Sequence, residues 1–327
     1  PAPLRSLDED SFTRARRTAI KRLTATGAAT IMYDVERMVR VAPWLPALGR
    51  GPRRSEGHAL LLIMGANATG VAWPEPLVNQ LAGQHRVVRY DHRDTGRSTW
   101  AFGTHPYAVR DLAQDAVGVL DALGIDRAHV VGMSMGGTLV QLLMLDHPLR
   151  LRSATMFATS ALGAGLADPT GQCSAGLPGP DPRLLALWQH LADERERDAE
   201  IAWRIEHWRI LNGPVPPFNS EEFRELEERV IAHSGTLQGS DAHARADRAG
   251  LNRAAELAHV QVPAQVIEAP EDPVNPPPHA AHLAATLGDA RLVPVPGMGH
   301  ALSSPVIRPL AEAILVFTGE VDKAEPT

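Results

Sequence analysis

The first group in this chain whose setting implies chemistry is a serine held between small residues at the end of an apolar run. In "AHVVGMSMGGTLVQLL" (128–143), Gly132-Met133-Ser134-Met135-Gly136 matches G-x-S-x-G, with a strand-like run before it and a helix-like pattern after it. The glycines permit a sharp turn that would put the Ser134 hydroxyl above the carboxyl end of a sheet. The Met135 N–H, at a helix N-terminus, would then be placed to hold a developing oxyanion. The competing role for such a serine is an ordinary helix N-cap, its oxygen accepting from the helix's free N–H groups.

A serine hydroxyl is a weak nucleophile until a base takes its proton, and that base needs an acid to orient it. With 14 histidines present, a histidine by itself says little. His300 is set apart by "ARLVPVPGMGHALSSP", which puts it on a small-residue loop after the last strand-like run. Asp272, in "VIEAPEDPVNPPP", follows the preceding run and gives the order Ser, Asp, His. Glu271 is the nearest competitor for the acid, and Glu268 reads as part of the strand itself. A second oxyanion donor should come from "MGANATGVAWP", where Ala66 N–H is the choice as partner to Met135; Asn67 and Trp73 on the same loop are candidates to face substrate. This constellation calls for no cofactor and no metal.

The elements that must position these groups follow from the apolar pattern. Runs at 58–64, 86–90, 128–133, 153–158, 264–269 and 290–295 read as strands, and segments near 75–83, 107–123, 135–147, 278–287 and 305–317 read as helices. That alternation predicts an α/β fold, a mostly parallel sheet wrapped by helices. Between 160 and 256 no core strand is evident. There "DERERDAEIAWRIEHWRILNG" reads as a helix ending at its glycine, and Trp203 and Trp208 are candidates either to touch an apolar ligand or to pack cap against core. The expected organisation is a helical arm at 1–56, hydrolase core at 57–159, a helical cap at 160–256 and the rest of the core at 257–327.

The first 56 residues hold eleven Lys/Arg against six Asp/Glu. Phe12, Ala15, Ala19 and Leu23 recur at helical spacing, and Met32, Val35, Met38 and Val39 suggest a second helix. Acids interspersed among the bases favour an arm packed on the main domain over a membrane-surface helix, and the arm is a candidate homodimer contact. The whole chain, with 32 basic and 38 acidic residues, presents no electrostatic case for nucleic acid. A single cysteine, Cys173, leaves no disulfide framework and argues against a Cys-rich zinc site. No apolar run reaches spanning length and no signal-peptide pattern opens the chain, so a soluble cytoplasmic protein with a small-molecule substrate and no membrane partner is expected.

"LLLIMGAN…WPEPL", "VVRYDHRDTGRS", "HPYAVRDLAQDAVGVLDALGIDRAHVVGMSMGG" and "PGMGHAL" together resemble the aclacinomycin methylesterase group of α/β-hydrolases, which remove a methyl ester from anthracycline polyketides. The likeness spans roughly 58–318 and is strongest over 58–150. It implies triad positions for Ser134, Asp272 and His300 and oxyanion positions for Ala66 and Met135. "DHRDTGRS", with Asp91, Arg93, Asp94 and Arg97, reads as a hydrogen-bonded loop bracing the site. The group ordinarily begins with a β-hairpin, where this chain reads as a basic helical arm. The resulting expectation is an esterase of a bulky apolar, polyketide-type molecule. A lyase or cyclase reusing the same groups and a non-catalytic binding protein are the alternatives.

Overall fold

The computed structural model describes residues 57–164, 176–191 and 193–324, together with the strand backbones at 29–33 and 37–41. Six strands run parallel: β3 (Ala59–Ile63), β4 (Arg86–Asp91), β5 (Ala128–Met133), β6 (Leu151–Phe157), β7 (Ala264–Glu268) and β8 (Arg291–Pro294). Each coincides with an apolar run predicted from sequence. The sheet order is β2-β1-β4-β3-β5-β6-β7-β8.

Strands β1 (Ala29–Tyr33) and β2 (Arg37–Val41) form an antiparallel hairpin, with Met32 opposite Met38, and β1 pairs antiparallel with β4. The second helix expected from Met32, Val35, Met38 and Val39 is therefore corrected to a hairpin. Helical spacing was one period available to this short stretch. Thr30, Ile31, Tyr33, Val39 and Val41 are β-branched or aromatic and favour extended backbone, and an unpaired β4 edge offers a ladder to complete. The helix expected over Phe12–Leu23 lies outside the described residues.

All five residues of β3 and all six of β5 are buried, because helices cover both faces of the sheet. Alternate side chains feed two cores. Leu61, Ile63 and Val130 pack with α2 (Val109–Ala122), α3 (Met135–Asp146) and α9 (His279–Leu287). Leu60, Leu62, Val131 and Met133 pack with α1 (Glu75–Ala82) and α10 (Ser304–Ala324).

Between β6 and β7 the chain adds helices α4 (Pro182–Trp188), α5 (Arg197–Asn212), α6 (Ser220–Ser234), α7 (Ala242–Arg245) and α8 (Ala254–Leu257). Helix α5 ends where Gly213 adopts φ 76°, the glycine stop read from the sequence. Trp208 stacks on Phe223 of α6 and donates its Nε1–H to Glu227 Oε1 at 2.6 Å, which ties α5 to α6. Arg204 reinforces that seam through Glu200 and Glu227. No helix among the described residues is long and apolar enough to cross a membrane.

Candidate active site

Strand order reverses at β3: β4 lies on one side of it and β5 on the other, and the carboxyl ends of strands at such a reversal are where open α/β sheets bind ligands. Ser134 occupies the turn between β5 and α3 with φ 56° and ψ −122°, a left-handed conformation that costs a non-glycine residue about 1–3 kcal/mol. The neighbouring glycines are required by contact. A Cβ on Gly132 would lie 2.3 Å from the Gly136 carbonyl oxygen, and one on Gly136 would lie 2.1 Å from that of Ile63. Ser134 N–H donates to Phe157 O at 3.1 Å, while its side chain makes no capping bond to α3. The N-cap role is thereby set aside.

The β3 loop passes beside this turn, since a Cβ on Gly65 would come within 3.2 Å of Ser134 Cβ. Among the described residues, no protein acceptor takes the N–H of Ala66 or of Met135. Asn67, at φ 59°, donates its backbone N–H to His243 Nδ1 at 2.8 Å. Trp73, expected as a residue facing substrate, is fully buried and packs edge-on against Phe157 in the core. The large apolar ring gains most by burial, so it is corrected to a core residue. Trp203 is half-buried beneath the Arg195 guanidinium, 4.5 Å from its ring centre.

Asp272 and His300 meet directly. His300 Nδ1–H donates to Asp272 Oδ1 at 2.9 Å, which fixes the tautomer and leaves Nε2 as the proton acceptor. The same Oδ1 accepts from the N–H groups of Val274 (2.8 Å) and Asn275 (3.2 Å), so the turn after β7 holds the carboxylate in place. Glu271 makes no hydrogen bond or ion pair to either of them among the described residues, and its backbone N–H goes to Met298 O at 2.9 Å. Glu268 closes β7, as its sequence position indicated.

The end of α5 seats the histidine loop. Leu211 O accepts from His300 N–H at 2.7 Å and from Ala301 N–H at 3.1 Å. A Cβ on Gly299 would lie 2.3 Å from Asn212 O, and one on Gly213 would lie 2.6 Å from Glu271 O. The end of α5 therefore sets the positions of the loops that carry Asp272 and His300.

Four histidines that sequence reasoning did not single out complete the surroundings. His233 of α6 bonds Asp91 Oδ2 at 2.7 Å, and Asp91 also accepts from Gly70 N–H and Arg97 N–H. His243 of α7 accepts from Asn67 N–H through Nδ1 and donates from Nε2 to Arg93 O at 3.0 Å. His92 bonds Met64 O at 3.0 Å. His207 accepts from Trp188 Nε1–H at 3.0 Å; burial, and then His300, hold it down to about 4. "DHRDTGRS" is a bracing loop: Arg93 forks onto Asp115, and Asp94 Oδ1 caps the N–H groups of Ala101 and Phe102.

Burial, and then the neighbouring His92, hold His243 down to about 3; burial holds His92 down to about 4. Unfolded histidine titrates near 6.5, so between pH 6.5 and 4 the unfolded chain binds protons that the folded chain refuses. Stability is fully present above 6.5 and falls as the pH drops toward 4, by up to about 1.4 kcal/mol per pH unit for each ring. A urea midpoint measured from pH 7.5 to 4.5 is expected to follow that fall. In His243→Asn, which keeps an acceptor for Asn67, the slope should lose about one proton. An unchanged slope would mean that His243 is not the group kept neutral.

The family model described as "alpha/beta hydrolase fold" matches residues 58–304. Two rhodomycin D methylesterases, DauP of Streptomyces sp. (strain C5) and DnrP of Streptomyces peucetius, are each 44% identical over 268 residues, 79% of this chain and 90% of theirs. A solved hydrolase from Pseudomonas aeruginosa PA01, 26% identical, superposes with a TM-score of 0.61 over 89% of this chain and 95% of that one. A doubly covered parallel sheet, a serine on a strained β5 turn and a match over most of the length agree: the chain belongs to the α/β-hydrolase fold family and resembles its anthracycline methylesterases.

Proposed function

We propose that this chain is a serine carboxylic ester hydrolase that removes a methyl ester from a bulky apolar, polyketide-type molecule. The observation that carries this reading is an uncapped, strained Ser134 on the turn after β5; the His300 imidazole, whose tautomer Asp272 fixes, is the base such a serine requires. The likeness to the rhodomycin D methylesterases supplies the ester and the substrate class.

Ser134 Oγ attacks the ester carbonyl as His300 Nε2 takes its proton. The Ala66 and Met135 N–H groups receive the oxyanion as it forms, at no cost in lost protein bonds, since neither serves another acceptor. His300 returns its proton to the departing methanol, and water then repeats the sequence on the acyl-enzyme. Asn67 holds the oxyanion loop through its bond to His243, and Trp203 lies on the inserted helices as a candidate substrate contact.

Turnover in ¹⁸O-labelled water tests the reaction type. Hydrolysis through an acyl-enzyme places one label in the released carboxylic acid. An elimination, which needs an ester whose alcohol part carries a C–H next to the C–O carbon and so cannot act at a methyl group, would expel the carboxylate with both original oxygens and leave an unsaturated co-product. Labelled acid and free methanol are the expected products. Unlabelled acid with an alkene would replace the esterase reading with a lyase.

A further inference from the structure

At the opposite end of the sheet from Ser134, the amino ends of three neighbouring strands bring three imidazoles onto one carboxylate. His58 stands just before β3, His85 just before β4, His129 is the second residue of β5, and Asp322 comes from the last turn of α10. One ligand atom each from His85, His129 and Asp322 lies within 4.8 Å of the others. His129 Nε2 is 3.1 Å from Asp322 Oδ1, and His58 Nε2 is 3.7 Å from the same oxygen.

The other ring nitrogens are anchored from behind. His85 Nδ1 bonds His58 O at 3.3 Å, and His129 Nδ1 bonds Ser153 Oγ at 2.8 Å. This is the arrangement that orients histidines for metal: one nitrogen is held by an oxygen, and the other is presented to a shared centre. Bonds of about 2.0–2.1 Å in a tetrahedron put ligand atoms about 3.3 Å apart, close to the spacings around Asp322. His129 is fully buried, so its ring is held in one orientation with Nε2 toward Asp322. Today's contacts are hydrogen bonds: His85 Nε2 meets Thr318 Oγ1 at 2.8 Å, and Arg152 Nη1 lies 3.4 Å from Asp322 Oδ1.

We propose that His85, His129 and Asp322, with the exposed His58 swinging in as fourth donor, form a binding site for one late first-row divalent metal ion, zinc being the best fit to the donor set. The ion would pin the last turn of α10 to the ends of three core strands. It takes no part in ester cleavage, and the site stands or falls independently of the proposed activity. Loading requires Thr318 to release His85 Nε2 and the ion to compete with Arg152 for Asp322.

The test uses tag-free full-length chain, stripped with a chelator and dialysed. Zn²⁺ is titrated in competition with a chromophoric chelator, and Co²⁺ is followed by visible absorption, which reports coordination geometry. One ion per chain, a tetrahedral Co²⁺ spectrum and a raised melting temperature are expected. Asp322→Asn and the surface variant His58→Ala should each weaken Zn²⁺ binding at least ~10-fold, while Arg152→Met should tighten it by removing the competing charge. His300→Ala, at the other end of the sheet, should bind Zn²⁺ as the parent does. Absence of binding by the parent, or unchanged affinity in both Asp322→Asn and His58→Ala with the melting curve intact, would overturn the proposal.

Discussion

Ser134→Ala is expected to lower methyl ester turnover by about 10⁴- to 10⁶-fold and to abolish covalent labelling by a fluorophosphonate. The serine is held at φ 56° by packing that leaves no room for a side chain at Gly132 or Gly136, so the substitution removes the oxygen without releasing the turn. Circular dichroism and the melting temperature should therefore stay near the parent's. Residual activity, about 10³- to 10⁴-fold over water, would come from the oxyanion donors and substrate binding. Labelling must occur in the parent, because an activated serine attacks phosphorus as it attacks a carbonyl. A variant that keeps most of its turnover would remove the acyl-enzyme from the mechanism, and with it the central step of the proposed function.

The parallel sheet was legible because its strands are continuous apolar runs, five or more residues long at β3 and β5 and covered on both faces. The serine turn was legible for a local reason: its glycines, strand and helix all lie within the one continuous stretch Ala128–Asp146. The hairpin at β1 and β2 was not. Its residues fit two periods equally, and what selects the extended form is pairing with β4, a partner some 60 residues away that no local window contains. Trp73 misled for a related reason. Loop membership suggested exposure, but the chain after β3 turns back onto the core, where the indole meets Phe157.

The histidines carry the same lesson into the site. His300 stood out through its neighbours in sequence, whereas His243 and His233 act through contacts 176 and 142 residues distant. Nothing near them in sequence distinguishes a ring that holds the Asn67 backbone from one facing solvent. The inserted helices thus touch the candidate site at three points: the end of α5 bonds the backbone of His300 and lies against Glu271, α6 grips Asp91, and α7 grips Asn67 and Arg93. A shift of that layer would move the loops of Asp272, His300 and Asn67 together.

Asp272→Asn is expected to lower kcat by about 10⁴-fold, while Glu271→Gln stays within a few-fold of the parent. Asp272 Oδ1 serves three donors at once: the N–H groups of Val274 and Asn275 and the His300 Nδ1–H. An asparagine keeps one oxygen, and the two backbone donors will hold that oxygen in the Oδ1 position. The amide NH₂ then occupies the buried Oδ2 position, which has no hydrogen-bond partner in the parent. The turn survives, but the negative charge that stabilises the imidazolium during proton transfer is gone. Should the amide flip, the NH₂ faces Nδ1 and forces the proton onto Nε2, the wrong tautomer for accepting from Ser134. Either orientation disables the base, so the loss falls on kcat rather than on KM. Glu271 has its backbone committed to Met298 and no bond to His300, which is why its substitution should be nearly silent. If Glu271→Gln instead carried the large loss and Asp272→Asn the small one, the acid would have to be reassigned and the 2.9 Å contact reduced to a structural bond.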